Sequence, residues 1–288
     1  MKCDLVLSLA YACSAELYRP QTLNPTIMKT NKLAIWSKQI ILLSALLCFG
    51  SLGSTKAQTS GVKNVVIVHG ALADGSGWMG VYNALTKKGF NVTVVQNPCT
   101  SLKEDVEATN FAIDKQDGPV VLVGHSWGGT VITQAGVNPK VASLVYVNAF
   151  QPDLGESTVT WATSLPPKPE NGLLPPDEKG NVYYDKAKFH AGFCADVSKE
   201  VADFMFASQG FIPGAAFGTQ VTEVAWKSKP TFGISSTEDK SINPEITMNM
   251  YKRSKSLITQ IKGSHVVYMS HPEEVSGVIM AAAMKGGK

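Results

Sequence analysis

Cysteine is scarce in this chain. Of five in 288 residues, only Cys99 and Cys194 lie beyond residue 57, so one disulfide at most is available and a disulfide framework is excluded. No C-x-x-C, no H-E-x-x-H and no set of ligands at metal spacing occurs, so the sequence offers no metal site. Internal repeats and low-complexity tracts are absent as well, which excludes solenoids and repeat arrays. A charge excess of one sign is also missing. The whole chain carries 26 Lys and Arg against 23 Asp and Glu, a net +3. Residues 1–57 hold six of the basic and two of the acidic residues, leaving 20 basic against 21 acidic beyond them. The basicity belongs to the N-terminal segment, and nothing argues for nucleic acid or an anionic membrane as partner.

That segment reads as a leader. Met28-Lys29-Thr30-Asn31-Lys32, followed by Lys38, forms a basic stretch, and residues 40–49 are an apolar run. At about ten residues the run is too short to span a bilayer as a helix. Thr55-Lys56-Ala57 offers a small-x-small cleavage site before Gln58. The pattern predicts a signal peptide over about 28–57, cleaved after Ala57, and a secreted or periplasmic product with no stable membrane anchor. An uncleaved N-terminal anchor is the alternative. Met28 is a better-placed start than Met1, and residues 58–288 are expected to form one domain.

Beyond the leader, apolar β-type runs alternate with helical patterns, the signature of an α/β fold with a mainly parallel sheet and helices on both faces. Strands are predicted at 65–68, 91–95, 119–123, 141–147, 230–235 and 257–261. Helices are predicted at 78–88, from a capping box at Ser101-Leu102-Lys103-Glu104 to about 115, from 129, from 244, and at 272–284. Residues 151–226 break the rhythm with Pro166-Pro167, Pro169 and Pro175-Pro176, and with one long helical pattern over 186–209. An insertion of that size between sheet strands is expected to form a cap over a site.

The chemistry is carried by Gly124-His125-Ser126-Trp127-Gly128, placed directly after the run Pro119-Val120-Val121-Leu122-Val123. A G-x-S-x-G that ends a strand and opens a helix is a nucleophile elbow, in which a strained tight turn lifts the serine hydroxyl clear of the sheet. A serine hydroxyl is nearly inert at neutral pH and needs a base, itself oriented by an acid. In this topology the partners follow in the order serine, acid, histidine. Gly263-Ser264-His265 follows the last predicted strand, which makes His265 the base and His271 its competitor. The acid belongs in the turn past the strand ending near Ser235, where Asp239 is preferred over Glu238 because its shorter side chain holds an imidazole more rigidly. The oxyanion donors are expected to be the backbone N–H of Trp127 and, from the loop His69-Gly70-Ala71-Leu72, that of Ala71, with Leu72 second.

Val68-His69-Gly70-Ala71, Gly124-His125-Ser126-Trp127-Gly128-Gly129, Thr237-Glu238-Asp239-Lys240 and Gly263-Ser264-His265 together resemble the α/β-hydrolase superfamily. More closely they are similar to small bacterial esterase-like hydrolases related to plant methyl esterases and hydroxynitrile lyases. The likeness covers about residues 64–280. It implies Ser126 as nucleophile, Asp239 as acid, His265 as base, and Ala71 and Trp127 as oxyanion donors. Plant hydroxynitrile lyases of this fold carry a lysine directly after the histidine, and here that position is Val266. The expected activity is hydrolysis of a small carboxylic ester through an acyl-enzyme, needing no cofactor. A lactonase, a triad-dependent lyase and a non-catalytic ligand-binding member of the fold are the alternatives. The pocket is expected to be apolar, lined by Leu72, Phe150, Phe189, Phe193, Met205, Phe206 and Phe211.

Overall fold

The computed structural model describes residues 61–287. The predicted signal peptide over 28–57 and its cleavage site lie outside the described residues.

Six strands form one sheet: β1 (Asn64–Val68), β2 (Asn91–Val95), β3 (Val120–His125), β4 (Val141–Val147), then, after the insertion that carries β5 (Asn181–Val182) and β6 (Ile212–Pro213), β7 (Thr231–Ser236) and β8 (Leu257–Ile261). Their order is β2-β1-β3-β4-β7-β8, every neighbouring pair parallel. The four inner strands are almost wholly buried while β2 and β8 are partly exposed along most of their length, as expected when helices cover both faces and only the edges meet water. Consecutive residues of β4 show both faces in use. Ser143 donates to the carbonyl of Ala282 in the helix Pro272–Gly286, while the Leu144 side chain packs at Gly136, the end of the helix Trp127–Ala135. Alternation along a strand sends these two to opposite sides.

Helix starts follow local capping. Ser101 accepts from the Glu104 amide at 3.2 Å, opening Leu102–Asp114. The Glu104 carboxylate takes the Ser101 and Thr100 hydroxyls, a different return contact from the amide bond of a full capping box. The helix expected over 78–88 starts earlier as a 3-10 turn, Gly75–Trp78, because Asp74 accepts from Ser76 N at 2.7 Å, and continues as Met79–Lys87. The pattern over 186–209 is two helices, Lys186–Phe193 and Lys199–Ala207. Ser198 caps the second by accepting from Val201 N, which ends the possibility of one continuous helix.

Between β4 and β7 the insertion contains short helices and the antiparallel pair β5–β6. It is tied at its base by Arg253 of the helix Pro244–Arg253. That guanidinium donates to both oxygens of Glu156 at 2.7 and 3.0 Å and to the Gln151 carbonyl at 2.8 Å, and lies over the rings of Trp161 and Trp226. Cys99 and Cys194 are both buried and free, so the one disulfide the sequence could supply does not form.

Candidate active site

Strand order reverses between β1 and β3, since β1 runs to β2 on one side and β3 on the other. In parallel α/β sheets the crevice at such a point, beyond the carboxyl ends of the strands, is where ligands bind. Ser126 sits there, directly after β3 and before the helix Trp127–Ala135, with φ 53° and ψ −119°. That left-handed backbone costs on the order of 1–3 kcal/mol for a residue with a side chain. The surroundings hold it: Ser126 N donates to Val147, and its carbonyl accepts from Gly129 N at 3.0 Å and Phe150 N at 3.1 Å. Glycines flank it because the backbones touch. A Cβ on Gly128 would lie 2.5 Å from the Val68 carbonyl oxygen, and one on Gly124 would lie 2.5 Å from that of Gly128. The loop after β1 closes on the same turn, for a Cβ on Gly70 would stand 2.8 Å from the Ser126 Cβ. Ala71 and Leu72, the two expected donors from that loop, line the crevice with Ser126. Leu72 itself has a positive φ of 61°.

His265 is buried, and its Nδ1 lies 2.7 Å from Oδ2 of Asp239. The other oxygen of Asp239 accepts from the amides of Ser241 at 2.8 Å and Ile242 at 2.9 Å. A carboxylate facing Nδ1 puts the imidazole proton there and leaves Nε2 as the free acceptor. His265 and Ser126 line one cavity. Among the described residues no hydrogen bond joins the Ser126 hydroxyl to the ring; in unliganded hydrolases such contacts are often long and close only around substrate. Glu238, the alternative acid, is exposed and faces Lys262 at 3.6 Å. His271, the alternative base, stands at the start of the last helix with Nδ1 against the Ser270 hydroxyl at 2.8 Å. Neither shares the Ser126 cavity.

The loop bearing His265 is fixed from below. Asn148, at φ 44°, donates to the carbonyls of Ser264 at 3.1 Å and His265 at 3.0 Å, and accepts from Ser236 N at 2.7 Å. His125 donates through Nε2 to the His265 carbonyl at 3.1 Å, and its Nδ1 has no partner. Burial, with the neighbouring His265 adding to it, holds the His125 imidazole well below its ordinary value of 6.5. It stays neutral and serves the loop, its ring turned away from the cavity.

Asn148 and Asp105 both matter here and both escaped the sequence. Asp105 is fully buried in the helix Leu102–Asp114 and accepts from the Trp127 indole at 2.7 Å and the Cys99 amide at 2.8 Å. Burial raises its carboxyl, and these donors act against the rise. The signal was its place on the helix's apolar stripe, three residues after Leu102 and four before Thr109, where a carboxylate needs a reason. Trp127, beside the serine, is thereby pinned beneath the elbow. Phe193, in the insertion, sets its ring edge-on to His265 at 5.0 Å between centroids. Burial pushes the Cys99 and Cys194 thiols up to about 12, too high for either to act as a thiolate nucleophile at neutral pH.

The cavity over Ser126 holds about 660 Å³, and none of its lining side chains is charged. Of the residues named for the lining, Leu72, Phe150 and Phe193 face it. Phe189, Met205, Phe206 and Phe211 do not. Phe189 is buried inside the insertion against Tyr184, Phe193 and Phe206, Phe211 is half exposed beside Tyr183, and Met205 faces a separate, smaller cavity. The break between the helices Lys186–Phe193 and Lys199–Ala207 turns the second helix away. The roof comes instead from Val159, Leu165, Leu173 and Phe217, with Ile242 and Ile246 at the side. Most of the polar lining groups are already paired: Thr158 with Thr130, Thr163 and Ser164 with backbone carbonyls of their own turn, and Asn171 with Ser241 and Leu173. Among the described residues no group of three or more His, Cys, Asp and Glu could hold a metal.

The sequence profile of the alpha/beta hydrolase family matches residues 65–278. The alpha/beta hydrolase nvfD of Aspergillus novofumigatus is 28% identical over 251 residues, covering 76% of this chain and 96% of that protein. The carbendazim hydrolyzing esterase of a Nocardioides species is 32% identical over 120 residues, covering 36% of this chain and 50% of that protein. A solved pyrethroid hydrolase from Sphingobium faniae shares the fold, with a TM-score of 0.64 and 21% identity over 77% of this chain and 97% of that one.

Proposed function

The chain belongs to the alpha/beta hydrolase family, and from that premise we propose that it is an exported serine hydrolase of neutral carboxylic esters. The observation that carries this reading is the relay Asp239–His265, 2.7 Å long and buried, opening onto the cavity that holds the Ser126 hydroxyl. Ser126 Oγ attacks the ester carbonyl carbon while His265 Nε2 takes its proton. The oxyanion so formed is stabilised by the N–H groups of Ala71 and Trp127. Collapse breaks the bond to the alcohol, which leaves with the proton from His265. A water then gives a proton to Nε2, attacks the acyl group and releases the acid, and Ser126 recovers its proton. Asp239 keeps Nδ1 protonated throughout. Phe193 against the ring and Val266, buried directly after the base, leave this flank apolar, where plant hydroxynitrile lyases of this fold carry a lysine, and this speaks against cyanohydrin cleavage.

The cavity sets the substrate. At about 660 Å³ with uncharged walls, it suits a drug-sized neutral ester held by shape and apolar contact. An ester carrying a carboxylate would lose its hydration with no counter-charge to replace it. The leader over 28–57 accounts for export. Purified protein starting at Gln58 is expected to hydrolyse neutral aryl and alkyl esters faster than equally large esters bearing a carboxylate. Ser126→Ala is expected to lower kcat on the order of a million-fold. Undiminished turnover in Ser126→Ala removes the serine from the role.

A further inference from the structure

One carboxylate outside the relay holds the chain on both sides of the base, at Ser264 and at Ser270. Asp196 lies in the insertion, on the segment between the helices Lys186–Phe193 and Lys199–Ala207. Its Oδ2 accepts from the Ser264 amide at 2.7 Å and from the Ser270 hydroxyl at 2.7 Å, and its Oδ1 accepts from the Ser264 hydroxyl. The Ser264 oxygen accepts in turn from Val266 N at 3.2 Å, closing a tight turn around His265. Gly263 is glycine for the same reason, since a Cβ there would stand 2.9 Å from Asp196 Oδ2. Three residues before Asp196, Phe193 rests its ring on His265 and lines the substrate cavity. The stretch 193–196 therefore grips the base twice, at its ring and at its backbone.

We infer that Asp196 is a positioning residue for His265, and that through it the insertion sets the orientation of the base. This rests on the reading of His265 as the base. A carboxylate accepting two hydrogen bonds from Ser264 and a third from Ser270, at the end of the short helix Val267–Ser270, fixes this segment more tightly than a neutral acceptor, because bonds to an ionised group are roughly twice as strong. The grip from above complements the one from below, where Asn148 and His125 hold the His265 carbonyl. With both in place, the imidazole has little freedom to turn away from the Ser126 hydroxyl. Ground-state binding does not need this grip, because Asp196 is not among the residues lining the cavity. Its loss should therefore appear in kcat rather than KM.

The test is steady-state hydrolysis of one neutral ester by wild type, Asp196→Ala, Asp196→Asn and Ser264→Ala, with Ser126→Ala and His265→Ala as references. Misplacing a catalytic group by about 1 Å costs on the order of 100-fold, so Asp196→Ala should lose that much in kcat with KM nearly unchanged. Asp196→Asn, which keeps one acceptor oxygen for the Ser264 amide, should recover part of the loss. If Asp196→Ala does not fold, Ser264→Ala decides: it keeps the amide bond, drops the hydroxyl contacts and should still lower kcat. Wild-type kcat in folded Asp196→Ala, or in Ser264→Ala where Asp196→Ala is unfolded, overturns the inference. A loss confined to KM does the same. Full activity in His265→Ala would instead overturn the assignment of the base, which separates the two failures.

Discussion

At position 239 a carboxylate is held from two sides, by the His265 ring through one oxygen and by two backbone amides through the other. Its neighbour Glu238 points to solvent and meets only Lys262. In the chain the two differ by one methylene and one position; in the fold one is buried and the other is wet. Replacing Asp239 with Asn keeps shape and hydrogen-bonding capacity but lets the amide donate to Nδ1, which moves the imidazole proton to Nε2 and removes the base. Asp239→Asn should lower kcat by on the order of 10⁴-fold, as loss of the correct tautomer does in serine hydrolases. Glu238→Gln should leave kcat at the wild-type level, since a solvent-screened pair contributes little. A loss of equal size in Glu238→Gln would contradict this assignment. The sequence narrowed the acid to these two and preferred Asp239 on side-chain length. The amide pair that holds it comes from the turn conformation at Ser241 and Ile242, which no spacing rule displays.

Among the elements, the strands of the sheet were the most legible. The segments 91–95, 141–147 and 257–261 follow from β-branched runs bounded by turn residues, and the structure places β2, β4 and β8 over the same residues. Local chemistry decides such elements. The insertion was legible as an interruption but not in its interior, because the path of a proline-rich segment is set by what it packs against. Hence Leu165 and Leu173, in a stretch with no periodicity, line the cavity, while Phe189 and Phe206, the more conspicuous apolar residues, pack the insertion itself. This division predicts opposite phenotypes. Leu165→Ala and Leu173→Ala should widen the roof and shift the preference among acyl chain lengths, with little change in melting temperature. Phe189→Ala removes a buried ring and should cost about 3–5 kcal/mol of stability while the selectivity profile stays fixed. A panel of esters run beside thermal melts checks both. Selectivity that moves with Phe189 and not with the leucines would place the roof elsewhere.

For the whole molecule, the parallel sheet explains why residues as distant in sequence as Ala71, Ser126, Asp239 and His265 serve one crevice. Each stands in a loop beyond the carboxyl end of its strand, β1, β3, β7 and β8 in turn. The order of motifs along the chain was therefore enough to anticipate their meeting. The supports beneath them, Asp105 under Trp127 and Asn148 under the His265 loop, come from residues with no motif of their own. The proposed activity requires that Ser126 be a nucleophile made reactive by this assembly. A fluorophosphonate transfers its phosphonyl group only to an activated serine and gives a stable ester. Peptide mass spectrometry of the treated, folded protein should find one adduct, on the peptide carrying Ser126, formed in step with loss of ester hydrolysis and absent in His265→Ala. Full hydrolytic activity with Ser126 unmodified, or inactivation traced to an adduct elsewhere, would contradict it.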